Sequence, residues 1–562
     1  MTEAPPASLP YAPLPYSPAP ELSGGPVRRW PVVIVGGGPV GLAAAIDCSL
    51  HGIPALLFDK DDRVSDGSRA ICWAKRTLEI FDRLGVARPV VDRGITWKLG
   101  KVFHGDQLIY SFDLLPEEGH KHPAFVNLQQ YYVESDLVER ARQMPGVETR
   151  WQSRVVGLSE DGEGVVLEVE SPDGGYSVAA DWVIACDGAR SPLRDMLGLD
   201  FVGKVFQDRF LIADVKMAAA FPTERRFWFD PPFHPGGSAL LHRQADDVWR
   251  IDLQLGWDAD PEEERQPEKV IPRLKAMLGE DAKFELEWVS VYTFQCRRLK
   301  RFRHGRVIFA GDSAHQVSPF GARGGNGGVQ DVDNLIWKLA LVIGGEAPDS
   351  LLDSYDEERI LAADENILNS TRSTDFITPK GPGAQALRDA VLSLSAEHDF
   401  ARRTVNSGRL SIPAKLTGCG LQTPDDASWA GGVAPGAPCP DAPIEDALAR
   451  PAWLLDRLGG AFVLMAREED LASGNVRDAF PGIRDLAVLG IAEAGEALRS
   501  DSGVTDVSGL LTERFALSPG SFYLIRPDQH VAARWRSFDP KKVRQALARA
   551  KGLDATHLRE IA

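Results

Sequence analysis

Two hydrophobic patterns alternate along the chain. Val32–Val35 reads as a buried strand of a parallel sheet, Arg306–Ala310 as a second buried strand, and Ala55–Phe58 and Asp181–Ala185 as further strands. Helical spacing separates them: a helix opens at Leu42–Ile46, Leu78, Phe81 and Leu84 recur before a C-capping Gly85, and Tyr131–Gln143 forms another. Val165–Val169 and Tyr176–Ala180 alternate as a hairpin about Pro172–Gly175. From Phe201 to Phe294 the period shortens to two. Phe227–Phe229, Ala239–Leu241 and Trp249–Leu255 predict an antiparallel sheet, with a helix at Pro272–Leu278. Helical patterns return after the glycine-rich Gly321–Gly328, to about Leu341 and over Leu351–Ile377. Past a linker at Gly431–Cys439 lies a self-contained set: strands Phe462–Met465 and Leu486–Ile491, a hairpin Phe522–Ile525/Val531–Trp535, and a helix Lys541–Lys551. The predicted organisation is a Pro-rich, disordered or extended tail over 1–26, then 27–200, a sheet region 201–300, a return to the first domain over 301–415, and a terminal domain 416–562.

The first strand changes the picture. Val32–Val35 runs into glycines at 36, 38 and 41, and a helix follows. Strand, G-x-G-x-x-G turn and helix, in that order, form the dinucleotide-binding fingerprint. Gly36 permits the tight turn, Gly38 lets a pyrophosphate approach the backbone, and Gly41 lets helix and strand pack, with Pro39 at the helix start offering its N-terminal dipole. Asp59 and Lys60 end the next strand, Asp59 standing 18 residues beyond Gly41, where a carboxylate can accept from a ribose diol.

Composition excludes more than it assigns. The net charge of −17, without a basic run, argues against nucleic acid or an anionic membrane as partner. No apolar run is long enough to span a bilayer, and the six cysteines lack metal-ligand or C-x-x-C spacing, so a reduced cytoplasmic protein without a metal is expected.

Two further motifs carry a resemblance. DWVIACDGARSPLR, Asp181–Arg194, and GRVIFAGDSAHQVSPFGARGGNGGVQDVDNLIWKLA, Gly305–Ala340, together with the fingerprint, resemble the group A FAD-dependent aromatic hydroxylases, the p-hydroxybenzoate and phenol hydroxylase type. The likeness is greatest to the subgroup of 3-(3-hydroxyphenyl)propionate hydroxylases and spans nearly the whole chain after the tail. It implies an α/β architecture: a Rossmann-like FAD-binding domain, an antiparallel-sheet substrate domain, and a C-terminal thioredoxin-like domain, here without CxxC. It implies non-covalent FAD held by Gly36, Gly38, Pro39, Gly41, Asp59, Lys60, Arg69, Gln130, Val155, Asp187, Gly188, Gly311 and Asp312, with Pro319 beside the ring. Backbone N–H groups of Gly324, Gly325 and Asn326, at a helix start, would face the flavin edge that becomes negative on reduction.

The resemblance further implies reduction by NADPH or NADH, reaction with O2 to a flavin C4a-hydroperoxide, and hydroxylation of a phenolic or related small aromatic substrate. One fingerprint is present, so the nicotinamide binds transiently. No nucleophile or triad is required. Arg243 and Asp252 fall near phenol-site positions, with His242, Tyr292 and His122 as alternatives. The position of the family's phenol-activating acid is Ile71 here, so the catalytic group stays open. His315 is read as structural. The terminal domain is expected to pack or support a homodimer. A flavin halogenase and a non-catalytic carrier of the same fold are the competing readings; the halogenase's tunnel lysine and tryptophan-rich motif are not seen.

Overall fold

The computed structural model describes residues 12–24, 27–67, 69–160, 162–219, 221–405, 410–425, 429–473, 476–480 and 485–553. The β-branched run folds as strand Arg29–Val35, paired in parallel with Ala55–Phe58 on one side and Gly174–Ala185 on the other, with Val33 opposite both Leu56 and Val183. Val147–Arg150 and Val307–Phe309 extend the parallel core outward. Val32, Val33, Ile34, Leu56, Leu57 and Ile184 are fully buried, as two-sided coverage by helices requires. Helix Pro39–Leu50 crosses from the first strand to the second, packed between helices Gln130–Gln143 and Gly324–Ile343. The hairpin expected at 165–180 forms, but its second strand does not stop: Gly174–Ala185 is one continuous strand, antiparallel at its start and parallel at its end.

The second sheet has eight strands, running from His315–Gln316 through Glu285–Leu299, Phe201–Lys216, Val248–Leu255, Ser238–Arg243 and Arg225–Phe229 to Leu99–His104 and Gln107–Asp113. Its outer strands therefore come from the 99–113 stretch, far from the alternating region. One face buries Leu211, Val215, Trp249, Ile251 and Leu253 against helix Pro267–Leu278. The other carries Phe210, Phe227, Phe229 and Phe294 together with polar side chains, and faces the first sheet's loops.

The terminal sheet places Phe462–Arg467 centrally, parallel to Leu486–Glu493, itself parallel to Val504–Asp506, and antiparallel to Phe522–Ile525, with Val531–Trp535 outside it. Cys419 and Cys439 are buried free thiols, and burial raises the pKa of both. This domain is fastened to the first by buried ions. Glu358 accepts from Lys338 Nζ at 2.8 Å and from both Nη atoms of Arg526 at 2.5 and 3.0 Å. Arg526 also holds Asp528, while Arg76 donates to Asp528 O, Gln529 and Asp333.

Within the stretch read as a disordered or extended tail, the described residues 12–24 are docked on the first domain. Leu14 and Ala19 are buried, and Pro20–Ser23 forms a 3-10 turn. Glu21 makes a two-pronged pair with Arg150 at 2.9 and 3.2 Å, and Arg150 lies over the rings of Phe58 and Tyr176. Proline removes much of the backbone entropy that docking would cost, and a nearly buried bidentate pair fixes the end. Residues 1–11 and 25–26 lie outside the described residues.

Arg526→Met should be strongly destabilising, by about 3–5 kcal/mol, because it strands two buried carboxylates. Urea unfolding followed by fluorescence checks this; an unchanged midpoint would mean the ion cluster does not hold the domains together.

Candidate active site

The fingerprint turn is shaped by contacts that exclude a side chain. Gly36 has φ +112°, and a Cβ there would strike the Cys186 carbonyl; one at Gly41 would strike the Gly36 carbonyl. Gly38, the N-cap, differs: no atom lies within 4 Å of where its Cβ would be. Space is left in front of the helix N-terminus, as an incoming phosphate needs. Asp59 is tied to this turn, its Oδ2 accepting from Gly37 N at 2.5 Å and its Oδ1 from Asp61 N at 2.8 Å. Burial raises its pKa against those bonds. Lys60 is exposed beside it, and Val155 is buried in strand Arg154–Glu160. Trp151 lies against Gly37, where a Cβ would come within 2.6 Å of its ring.

A second helix N-terminus converges on the first. A Cβ at Gly328 would meet Val40 at 2.6 Å and the Gly311 backbone at 3.0 Å, so helix Gly324–Ile343 is held against the fingerprint helix. Its first intrahelical donor is Gly327 N, to Arg323 O at 2.7 Å. The N–H groups of Gly324, Gly325 and Asn326 donate no hydrogen bond among the described residues. The Asn326 side chain is committed elsewhere: Nδ2 donates to Cys72 O and Ala322 O, and Oδ1 accepts from Ala74 N. It positions the helix start, leaving only its backbone for a ligand. Gln130 likewise accepts from Ala70 N at 3.0 Å, bracing the loop that carries Arg69.

Between these elements is a cleft. Asp312 is walled by protein, which raises its pKa against the fields of His315 and Arg69, yet its surface is open. Tyr292 is 42% exposed, and burial and the Asp312 charge raise its pKa. Pro319 and Arg69 are exposed on the same cleft loops. Asp187 Oδ2 accepts from Leu193 N, while its buried Oδ1 has no partner; Gly188 turns at φ +80° with nothing near its Cβ position. His315 is structural in contact: its Nε2 meets Asp331 at 2.7 Å, and Asp331 also accepts from Gly311 N and Arg359. Two open helix N-termini and two carboxylates with unused lone pairs, Asp59 and Asp312, fit a dinucleotide whose phosphates and hydroxyls need those partners.

The inward face of the second sheet carries His242 and Asp252 on adjacent strands and Tyr292 further along, but not Arg243. Strand alternation turns Arg243 to the opposite face, where it donates to Asp247 at 3.1 Å and lies over Trp249. His242 is buried edge-on to Trp97, its Nδ1 without a partner, and burial with Arg225 and Arg250 drives its pKa far down. Asp252 is 9% exposed, its Oδ1 also unpartnered, and burial pushes its pKa up to about 6 although Arg250 opposes this. His122 lies elsewhere, 3.4 Å from Asp82, and Ile71 is buried. Missed by the sequence reading is a small, partly open neighbouring pocket bounded by Arg225, Phe227, Phe112, Phe320 and Gly321. Period-two extension from Phe227 and Phe229 would have placed Arg225 inward.

Asp252→Asn gives a test with a defined sign. The folded pKa lies above the unfolded one, so stability is complete below the carboxyl's ordinary range and falls as pH rises through about 6. The variant should gain in unfolding free energy over the parent above pH ~7, by up to about 3 kcal/mol, and show no gain near pH ~4. A gain independent of pH would contradict the buried-charge account.

Comparison with known proteins agrees with this geometry. The profile of the FAD binding domain family matches residues 29–370. The 6-methylpretetramide 4-monooxygenase of Streptomyces rimosus is 32% identical over 534 residues, covering 90% of each chain. The 3-(3-hydroxy-phenyl)propionate/3-hydroxycinnamic acid hydroxylase of Mycolicibacterium smegmatis is 29% identical over 361 residues, 64% of each chain, so this chain spans just under two thirds of that relative. In fold, the chain is similar to the flavin-dependent monooxygenase PieE solved with FAD and substrate, at TM-score 0.79 and 24% identity, covering 94% of this chain and 100% of that one. The fold is that of the p-hydroxybenzoate hydroxylase type, FAD is the cofactor its cleft takes, and the chain belongs to the FAD binding domain family.

Proposed function

We propose that the chain is an FAD-dependent monooxygenase that uses NADPH or NADH to hydroxylate a small aromatic compound. One observation carries this reading: the loop that begins the glycine-rich helix also lines an aromatic pocket. Phe320 packs edge-on against Phe210 and Phe294 at 4.9 and 5.2 Å, and Phe320 and Gly321 bound the pocket that Phe112 and Phe227 complete. A small pocket walled by aromatic rings thus lies within one loop of the cofactor cleft. The relatives named above carry monooxygenase or hydroxylase in their names, which supports the class.

Bound FAD supplies the electron transfer and oxygen activation that amino-acid side chains lack. The protein's part is positional. The N–H groups of Gly324, Gly325 and Asn326 present positive dipole ends where negative charge collects. Gly38 and the helix behind it would take the pyrophosphate; Asp59 and Asp312 would accept from hydroxyls of the ribose and ribityl chain. The Phe210–Phe294–Phe320 cluster keeps water from the reacting face. The expectation that NADPH or NADH binds transiently rests on the single fingerprint in the sequence.

The purified protein should be yellow and release FAD, not FMN. Asp312→Ala should weaken FAD retention by about tenfold or more, through the loss of charge-assisted hydrogen bonds. Phenols screened for stimulated NADPH or NADH consumption should give a product heavier by one oxygen. Colourless protein that takes up no FAD on titration would end this reading.

A further inference from the structure

Residues 12–24 lie ahead of the part of the chain that the FAD binding domain profile matches, which begins at residue 29. They form a strap along the Asp59 end of the cleft and are fastened at three separated places. Leu14 N donates to Asp62 O at 2.5 Å. Tyr16 Oη donates to Ser171 Oγ at 3.2 Å, beside the hairpin turn. Glu21 accepts from both Nη atoms of Arg150, and the two side chains are only 4% and 3% exposed. Leu14 and Ala19 are buried, and Leu22 packs on the core of the first domain.

These anchors fall on the chain that shapes the Asp59 end. The loop between strands Ala55–Phe58 and Cys72–Ala74 carries both Asp59 and Arg69. Arg150 to Ser153 form the facing wall, laced to this loop by backbone. Asp59 N donates to Arg150 O at 3.0 Å, Ser153 N to Asp59 O at 2.8 Å, and Gln152 N to Asp61 O at 3.1 Å. The Trp151 ring and the Asp59 Cβ both crowd Gly37 of the fingerprint turn. An open polar groove, lined by Lys60, Gln152 and Arg154, has two of the strap's anchors, Asp62 and Ser171, among its walls. The strap thus holds one wall at Asp62 and the other at Arg150. Surface loops open locally at little cost unless something ties them. Here the tie is a bidentate ion pair shielded from water, and Pro13, Pro15, Pro18 and Pro20 keep its ordering cost low. Without Glu21, Arg150 would stay buried between the Phe58 and Tyr176 rings with Glu148 as its remaining carboxylate among the described residues.

We propose that residues 12–24 are a cofactor-retention strap: by fixing Asp62 and Arg150 they hold the two walls that the adenosine diphosphate half of FAD meets, and so slow its escape. The inference goes beyond the hydroxylase reading and does not depend on which substrate is oxidised. It rests on the adenosine ribose lying at Asp59. Glu21 and Arg150 are positioning residues, acting on the nucleotide through Asp59 and the Trp151 junction. Such coupling is reciprocal, so a bound nucleotide also tightens the strap.

The first measurement is FAD release from diluted holoenzyme, followed by the rise of free-flavin fluorescence. A chain beginning at Val27 should lose FAD about tenfold faster or more, and Glu21→Gln should lose it faster by a smaller factor. An unchanged release rate in the shortened chain would overturn the proposal. The second measurement needs no variant and decides the matter if the shortened chain does not fold. Hydrogen exchange of the Leu14 and Leu22 amides is compared in the apoprotein alone, with saturating ADP, and with FMN. ADP should slow exchange about tenfold, while FMN, which has no adenosine, should leave it as in the apoprotein. Equal exchange with and without ADP, or protection by FMN as large as that by ADP, would show a strap that only adds general stability and would overturn the proposal. Asp59→Ala separates a misplaced nucleotide from an idle strap. Its ADP affinity should fall, and an undiminished affinity would remove the placement on which the proposal stands.

Discussion

The carboxylate of Asp331 is the fixed point from which the cofactor cleft is built. The residue has no exposed surface, and an isolated carboxylate there would be prohibitively costly. Burial pushes its pKa up, but His315 and Arg359 outweigh burial and hold it below the usual range. What it gains structurally is geometry. Through Gly311 N it sets the turn that carries Asp312. Through His315 it sets the edge strand of the second sheet, and through Arg359 the long helix Asp353–Ile377. Cofactor sheet, substrate sheet and helical layer are thus positioned by one anion, itself on the glycine-rich helix.

That helix explains how a chain of net charge −17 can accept an anionic dinucleotide. Net charge acts at long range and is screened within about 10 Å, whereas helix N-termini act at contact. Two such ends meet here because Gly328, Val40 and Gly311 allow the helices to touch. The carboxylates in the cleft are neighbours of this positive ground rather than competitors with it. Asp59 and Asp312 are held where sugar hydroxyls would donate, and Asp59 is already fixed by Gly37 N. The arrangement separates acceptors from donors along one groove, which suits a ligand that alternates phosphate and polyol.

Much of this was legible from local pattern. The strand, glycine turn and helix are set by contacts within a few residues, so Val32–Val35, the fingerprint and Asp59 could be read directly. The start of the glycine-rich helix was equally readable. Tertiary pairing was not. Strand Phe201–Lys216 runs sixteen residues and is exposed for its first part, so its period is weak where the strand begins. Leu99–Asp113 joins a sheet whose other strands lie a hundred residues on, which no local signal announces. Arg243 failed as a pocket candidate for a simple reason: its neighbour His242 faces inward, so strand geometry turns it out. The tail was read by composition alone, and the partner that orders it, Arg150, is distant in sequence.

The terminal domain adds the last constraint. Trp337 and Lys338, on the far part of the glycine-rich helix, meet Phe462 and Glu358, and Glu358 meets Arg526. One helix therefore presents open N–H groups to the cofactor at one end and is clamped by buried ions and aromatic contact further along. At Asp331, Glu358 and Asp333 every buried charge is matched by a cation. At Asp187, His242 and Asp252 buried polar atoms remain unmatched, and these three border the cleft and the sheet face that opens on it. Unmatched polar groups survive in a fold only where surrounding structure over-determines their positions. The satisfied ion clusters provide that determination, so the firmest part of the molecule is what permits its unsatisfied part to wait for a ligand.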